Sequence, residues 1–241
     1  MKPIDIVMVT YNRLRFTQKS LNSIIKRTNF PYRLIVIDNH STDGTVEYLR
    51  DKKEIDVLHL NLENEGLEKA LQFCLKESVE SSYFVTTDND CIAPLLTPCW
   101  LEQLYTLIKK YPKYAAIALR PQILVGVGKI FNTDKEVVEN NVVGGSFRIF
   151  NTKAVKQVGG WSNQFVNNGR GNEEWNICTK LRKAGYKVGY TKNLWTYHIF
   201  GEKNWGYPQS INAASSRSIK TPPKDIEYNP ITCEPKIKHN E

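Results

Sequence analysis

Short apolar runs rich in β-branched residues alternate with helical stretches through the first hundred residues, and that alternation constrains the fold more than any other feature. Ile4 to Val9, interrupted only by Asp5, and Leu34 to Ile37 are apolar runs, as expected of strands covered on both faces in a parallel sheet. Between them the pattern predicts a helix with Leu21, Ile24 and Ile25 on its apolar side and Pro31 beyond its end. Asp43 to Arg50 reads as a second helix and Val57 to Leu60 as a third strand. Leu67, Ala70, Leu71 and Cys74 share one face of a third helix, and Tyr83 to Thr87 is a fourth strand. This order predicts an α/β domain with right-handed crossovers and a mostly parallel central sheet flanked by helices. Ligands of such sheets bind beyond the carboxyl ends of the strands, where Asp38 and Asp88 both sit.

Further along, Trp100, Leu101, Leu104, Leu107, Ile108 and Tyr111 mark an amphipathic helix, followed by less regular strands around Ala115 to Val125 and Val142 to Phe150. A helix over Glu173 to Ala184 ends at Gly185, and a strand follows near Lys187 to Tyr190. From Trp205 onward, prolines scattered among polar residues predict an irregular lid or tail over 205–241. The 241 residues suit one large domain with or without a small appendage. The formal charge of +8 is compatible with nucleic acid, an anionic membrane or phosphate-bearing ligands. Cys74, Cys91, Cys99, Cys178 and Cys233 form no C-x-x-C pair and leave an odd one over. That argues against a zinc ribbon or a closed disulfide framework and for a reducing cytoplasm. The sequence shows neither a signal-peptide layout nor a bilayer-length apolar run, so a soluble protein, at most peripheral at a membrane, is expected.

Four stretches carry candidate chemistry. In Asp88-Asn89-Asp90 the two acids can face one ligand, and hard oxygen donors beside phosphates suit Mg²⁺ or Mn²⁺, although Asp-Asn-Asp is also ordinary turn chemistry. The loop "VTYNR" offers backbone N–H groups, the Thr10 hydroxyl and Arg13 to a nucleotide and its phosphates. In "IDNHSTDGT", Ser41 to Asp43 can cap the next helix, while Asp38 could accept from the imide N–H of a pyrimidine. In "NLENEGLEKAL", Asn64 and Gly66 open the third helix, and Gly66 would permit close approach of a ligand.

These stretches, continued by "GGSFRIFNTKAVKQVGGWSNQF", "NEEWNICTKLRKAGYKV" and "WTYHIFG", resemble the inverting glycosyltransferases of family 2, which have the GT-A fold. The resemblance covers roughly residues 4 to 200 in the same order. It implies a catalytic domain over 1–204, with a nucleotide-binding half to about residue 95 and an acceptor half beyond. It also implies a nucleoside-diphosphate sugar as donor, a glycan or lipid-linked hydroxyl as acceptor, no nucleic acid, and a divalent cation, Mn²⁺ or Mg²⁺. By the same resemblance Thr10, Tyr11, Asn12, Arg13, Asn64, Gly66 and Asn89 belong to the donor site. Asp38 would read the base, Asp88 would contact ribose or base, and Asp90 would reach the metal. The general base maps to "NEEW", where the family commonly has Glu-Asp; Glu174 is favoured by alignment and Glu173 is the fallback. A helix N-terminus would also favour both acids through its dipole alone. His198 is a plausible further metal ligand. Trp161 would be a sugar-stacking platform for the acceptor, or else a packing aromatic. The six basic residues between Lys180 and Lys203 could face anionic lipid or a lipid-linked diphosphate at the inner face of a membrane.

Two enzyme rivals lack their signatures. "VTYNR" contains no glycine, unlike the first loop of sugar nucleotidylyltransferases, and Gly126-Val127-Gly128 follows the fourth strand rather than the first, against a nicotinamide dehydrogenase. A carbohydrate-binding relative that has lost turnover would share every motif.

Overall fold

The computed structural model describes residues 2–121, 134–162, 173–199, 227–233 and 235–236. The first half follows the expected order: β1 (Ile4–Thr10), α1 (Leu14–Arg27), β2 (Tyr32–Asp38), α2 (Thr45–Arg50), β3 (Val57–Leu60), α3 (Leu67–Glu77) and β4 (Tyr83–Asp88). Then come β5 (Cys91–Ile92), α4 (Trp100–Lys110), β6 (Tyr114–Pro121), β7 (Val137–Asn140), β8 (Arg148–Asn151), α5 (Thr152–Gln157), α6 (Glu173–Lys183) and β9 (Lys187–His198). A separate antiparallel pair joins β10 (Glu227–Tyr228) to β11 (Pro235–Lys236).

The main sheet has the order β3-β2-β1-β4-β8-β6-β9-β5, with β7 also on β9. Its first four strands are parallel, as expected. Beyond β4 the sheet is mixed, because β8 runs antiparallel to both β4 and β6. The cause is local. The strand expected over Val142 to Phe150 is only β8, since the chain first crosses the end of β4, where the Asp88 N–H donates to the Gly145 carbonyl at 3.2 Å. Having arrived at the carboxyl end, it can only run back down the sheet. Helix α5 was not apparent in the periodicity; Asn151 caps it by accepting from the Ala154 N–H at 3.2 Å.

Alternation along each strand fills two cores, which is why β1 over Ile6–Val9 and β2 over Leu34–Ile37 are apolar on both faces, while the buried Asp5 of β1 pairs with Arg33 of β2 at 2.8 Å. Ile6, Met8, Leu34 and Val36 face α1 and α4 through Leu21, Ile24, Trp100 and Leu104. Val7, Val9, Ile35 and Ile37 face α3 and α6 through Leu71, Cys74, Ile177 and Leu181. Helix α6 ends as expected: Gly185 has φ +86°, and N–H bonds from Gly185 to Arg182 and from Tyr186 to Leu181 close its last turn.

Strand β9 is longer than Lys187 to Tyr190. It carries the chain past the polar residues Thr191 to Asn193 to His198, which pairs with Cys91. The described part of the expected irregular tail is a turn docked on the first half: the Leu95 N–H donates to the Ile231 carbonyl at 2.8 Å, and Cys233 is buried. The rest of the lid or tail expected over 205–241, and the end of the strand expected to reach Val125, lie outside the described residues. Among the described residues no helix is long and apolar enough to cross a membrane.

Candidate active site

The loops after β1, β2 and β4 converge at the carboxyl edge of the parallel strands. After β1 the backbone turns through two positive φ angles, +54° at Asn12 and +63° at Arg13. Hydrogen bonds to the neighbouring loop hold that conformation: the Asn12 N–H donates to Ser41 Oγ at 2.6 Å, and the Thr42 N–H to Asn12 Oδ1 at 2.8 Å. The N-cap of α2 is Gly44 rather than Ser41, Thr42 or Asp43; Asp43, just before it, accepts from the Thr45 N–H at 3.2 Å and Thr45 Oγ1 at 2.6 Å, and also from the Leu14 N–H that opens α1, at 2.8 Å. Burial resists its ionisation, but these bonds outweigh it and hold the carboxyl below its usual range.

A cavity of about 370 Å³ lies above these loops. Thr10, Tyr11 and Arg13 line it from one side, Asn64 and Gly66 from another, and Asp88, Asn89 and Asp90 from a third. Asn39, which sequence reasoning did not single out, completes the wall and accepts from Asn61 Nδ2 at 2.8 Å. Gly66 has φ +83°, and a Cβ there would meet nothing, so conformation rather than crowding calls for glycine. Asn12 and Asp38 stand behind the wall. The Asp38 carboxylate is 0 % exposed and accepts from Thr10 Oγ1 at 2.7 Å, Ser41 N–H at 2.7 Å and Ser41 Oγ at 2.6 Å. It braces two loops from below. Asn89 does similar work, donating to the Asn12 carbonyl at 3.3 Å and Thr17 Oγ1 at 3.0 Å.

Donor atoms of Asp88, Asp90, Cys91 and His198 all lie within 4.8 Å of one another. Asp90 Oδ2 is 3.2 Å from Arg13 Nη1, and Asp90 Oδ1 is 3.3 Å from His198 Nε2. The Asp88 carboxyl is pushed up to about 8, first by burial and then by Asp90, Glu173 and Glu174, with Arg148 opposing. So many acids in so little solvent is an arrangement a divalent cation relieves, and carboxylates with an imidazole are donors that suit Mn²⁺ or Mg²⁺. The residues present therefore fit the expected metal.

The two glutamates of α6 have opposite fates. Glu173 is 4 % exposed, accepting from Arg148 Nη2 at 2.6 Å and from the Trp161 indole N–H at 3.0 Å. Both of its oxygens are occupied, so the fallback assignment as base is corrected: Glu173 is a buried structural partner. Glu174 is partly buried, and its Oε1 accepts at 2.8 Å from the N–H of Gly145, the residue packed against Asp88. Burial and then the charge of Glu173 raise its carboxyl, against Arg148, the Gly145 N–H and His198. A raised carboxyl beside the acids of β4 is suited to accepting a proton.

Trp161 is not an acceptor platform. It is 2 % exposed, edge-on to Phe84 and Phe150 with ring centroids 6.3 and 5.7 Å away. The packing alternative holds because its indole N–H has a buried carboxylate to meet. Among the described residues the exposed indole is Trp175, at 49 %, directly after Glu174. Arg148 was also missed: buried, it donates to Glu173, to Thr86 Oγ1 at 3.3 Å and to the Val143 carbonyl at 3.2 Å. An arginine in an apolar strand opposite paired acids is the signal that could have found it.

A parallel nucleotide-type half-sheet joined to a mixed second half, with acids where the two meet, is the GT-A arrangement. Residues 5–169 match the family description "Glycosyl transferase family 2", and the chain belongs to that family. A poly-beta-1,6-N-acetyl-D-glucosamine synthase of Staphylococcus epidermidis is 25 % identical over 204 residues, covering 78 % of this chain and 47 % of that protein. Glycosyltransferase GlyA of Streptococcus pneumoniae is 29 % identical over 148 residues, covering 60 % of this chain and 19 % of GlyA. The chain thus spans half or less of the length of these relatives. Among solved structures, the mannosyltransferase PcManGT of Pyrobaculum calidifontis, with GDP-Man and Mn²⁺, has a TM-score of 0.70 at 18 % identity, covering 85 % of this chain and 59 % of its own. Residues 1–349 of TarS from S. aureus, with UDP-GlcNAc, have a TM-score of 0.63 at 17 % identity, covering 82 % of this chain and 58 % of that one.

Proposed function

We propose that this chain is the catalytic domain of an inverting glycosyltransferase, moving a sugar from a nucleoside-diphosphate sugar to a hydroxyl of a glycan or lipid-linked acceptor. The observation that carries this reading is the Gly145 loop, which touches Asp88 of the cation cluster and Glu174 of α6 at once. On this reading a proton acceptor and a diphosphate-binding edge share one site. The family membership and the nucleotide sugars and Mn²⁺ named for the solved relatives support it.

In this reading the nucleoside lies against Thr10, Tyr11, Asn39 and Asn64, with Asp38 bracing that wall, and Arg13 meets the diphosphate. Asp88, Asp90 and His198 would hold Mn²⁺ or Mg²⁺, which would offset charge on the departing diphosphate. Glu174 takes the proton of the acceptor hydroxyl as its oxygen bonds to the anomeric carbon. The bond from that carbon to the diphosphate breaks, and its electron pair leaves on the phosphate oxygen. Single displacement inverts the configuration. The basic residues Lys180, Arg182 and Lys183 near the end of α6 would suit an anionic, lipid-linked acceptor at the cytoplasmic face of a membrane.

The test is a panel of nucleotide sugars with Mn²⁺, read by nucleoside diphosphate release and by proton NMR of the product's anomeric configuration. Release accompanied by an inverted linkage is expected. A donor that binds but is never turned over, or a retained linkage, would overturn the reading.

A further inference from the structure

Cys91 lies at the cation cluster, yet none of the chemistry above employs its thiol. Among the described residues the other cysteines lie apart from the grouped metal-type side chains: Cys74 and Cys178 in one core, Cys99 in the other, and Cys233 in the docked turn. Cys91 is 0 % exposed, and its Sγ is 3.8 Å from Asp90 Oδ1. Antiparallel pairing of β5 with β9 sets it opposite His198. The backbone there is fixed from α1, where Ser20 Oγ donates to the Cys91 carbonyl at 2.6 Å and Ser23 Oγ accepts from the Ala93 N–H at 2.9 Å.

We infer that Cys91 makes this cluster a thiophilic site, at which Zn²⁺ or Cd²⁺ binds through Asp88, Asp90, His198 and the Cys91 thiolate in place of Mn²⁺ or Mg²⁺. Thiolate donors favour the softer ions, and Zn²⁺ stands above Mn²⁺ in intrinsic affinity for mixed N, O and S sites. Two carboxylates, an imidazole and a thiolate complete a tetrahedral shell. With bonds of about 2.0–2.3 Å, the ligand atoms of such a shell lie roughly 3.3–3.8 Å apart. The present spread of up to 4.8 Å closes to this by side-chain movements of about 1 Å. On coordination the S–H proton passes to solvent and no redox change occurs. A filled tetrahedral shell leaves no position for a diphosphate oxygen, so the soft ion is an inhibitor at the metal site. The binding claim stands on the cluster's geometry; only the inhibition rests on the transferase reading.

The purified protein is titrated with CdCl₂ in thiol-free buffer, following sulfur-to-cadmium charge-transfer absorption in the ultraviolet. We expect one saturating equivalent, suppressed by excess Mn²⁺, absent in Cys91→Ser and kept in Cys74→Ser. Because Cys91→Ser can disturb folding, X-ray absorption of the Zn²⁺-loaded wild-type protein supplies a variant-free measurement. One sulfur neighbour at about 2.3 Å is expected. A band that survives Cys91→Ser or ignores Mn²⁺, or a zinc shell with only nitrogen and oxygen neighbours, overturns the inference. These readouts need no turnover, so they are independent of whether the donor panel shows transfer.

Discussion

A Cβ placed on Gly145 would stand 2.3 Å from Oδ2 of Asp88, nearer than any two unbonded atoms rest. The same glycine donates its N–H to Glu174, so one residue sets both the D-x-D acid and the proposed base. Gly145→Ala must displace one or both. Misplacement by about 1 Å costs on the order of 10²-fold in rate, and a loss of that size in kcat/KM with retained circular dichroism is expected. Wild-type kinetics for this variant would mean that the loop does not position the reacting groups.

Glu174→Gln keeps shape and hydrogen bonding but removes basicity. Donor affinity should survive while kcat falls by roughly 10²- to 10⁴-fold. Glu173→Gln strips charge from the buried pair with Arg148 and should appear chiefly as lost stability, of about 3–5 kcal/mol in urea unfolding. If the two effects were exchanged, the roles assigned to these neighbours would be reversed.

The raised carboxyl of Glu174 fixes the sign of a pH dependence. A general base works only when ionised, so kcat/KM should fall as the pH drops through its carboxyl range. Burial and Glu173 place that limb above the usual value of about 4.3 for a glutamate. A pH–rate profile, with folding monitored separately, measures it. An acid limb at or below the ordinary value would contradict the assignment, and the limb should vanish from the residual rate of Glu174→Gln.

The two tryptophans make a contrasting pair. Trp161→Phe removes the buried indole N–H from Glu173 and should lower the melting temperature without selectively changing the acceptor KM. Trp175→Ala removes an exposed ring beside the base and should raise the acceptor KM several-fold at nearly unchanged stability. Acceptor saturation curves for both variants decide this; equal KM values in Trp175→Ala and wild type would remove Trp175 from the acceptor site.

Much of this protein is determined by its sequence alone. The parallel half-sheet was legible because strands covered on both faces are apolar on both, as β1 is over Ile6–Val9 and β2 over Leu34–Ile37. The D-x-D acids and the glycine end of α6 were legible because short-range geometry dictates them: Asp88 ends a strand with Asp90 just beyond it, and Gly185 takes a positive φ that other residues resist. The tertiary structure alone decided which of the two glutamates is paired in the core. Glu173 and Glu174 are adjacent and chemically alike, and only the approach of Arg148 and Trp161 from other elements neutralises one, while the other stays partly exposed against Gly145. Trp161 and Trp175 were likewise separated by burial, which depends on what packs against each ring rather than on its neighbours in the chain. His198 and Cys91 are 107 residues apart and meet because β9 continues through a polar stretch that no local pattern marks as strand. Residue type limits what each side chain can do, but packing against distant parts of the chain selects which of those possibilities is realised.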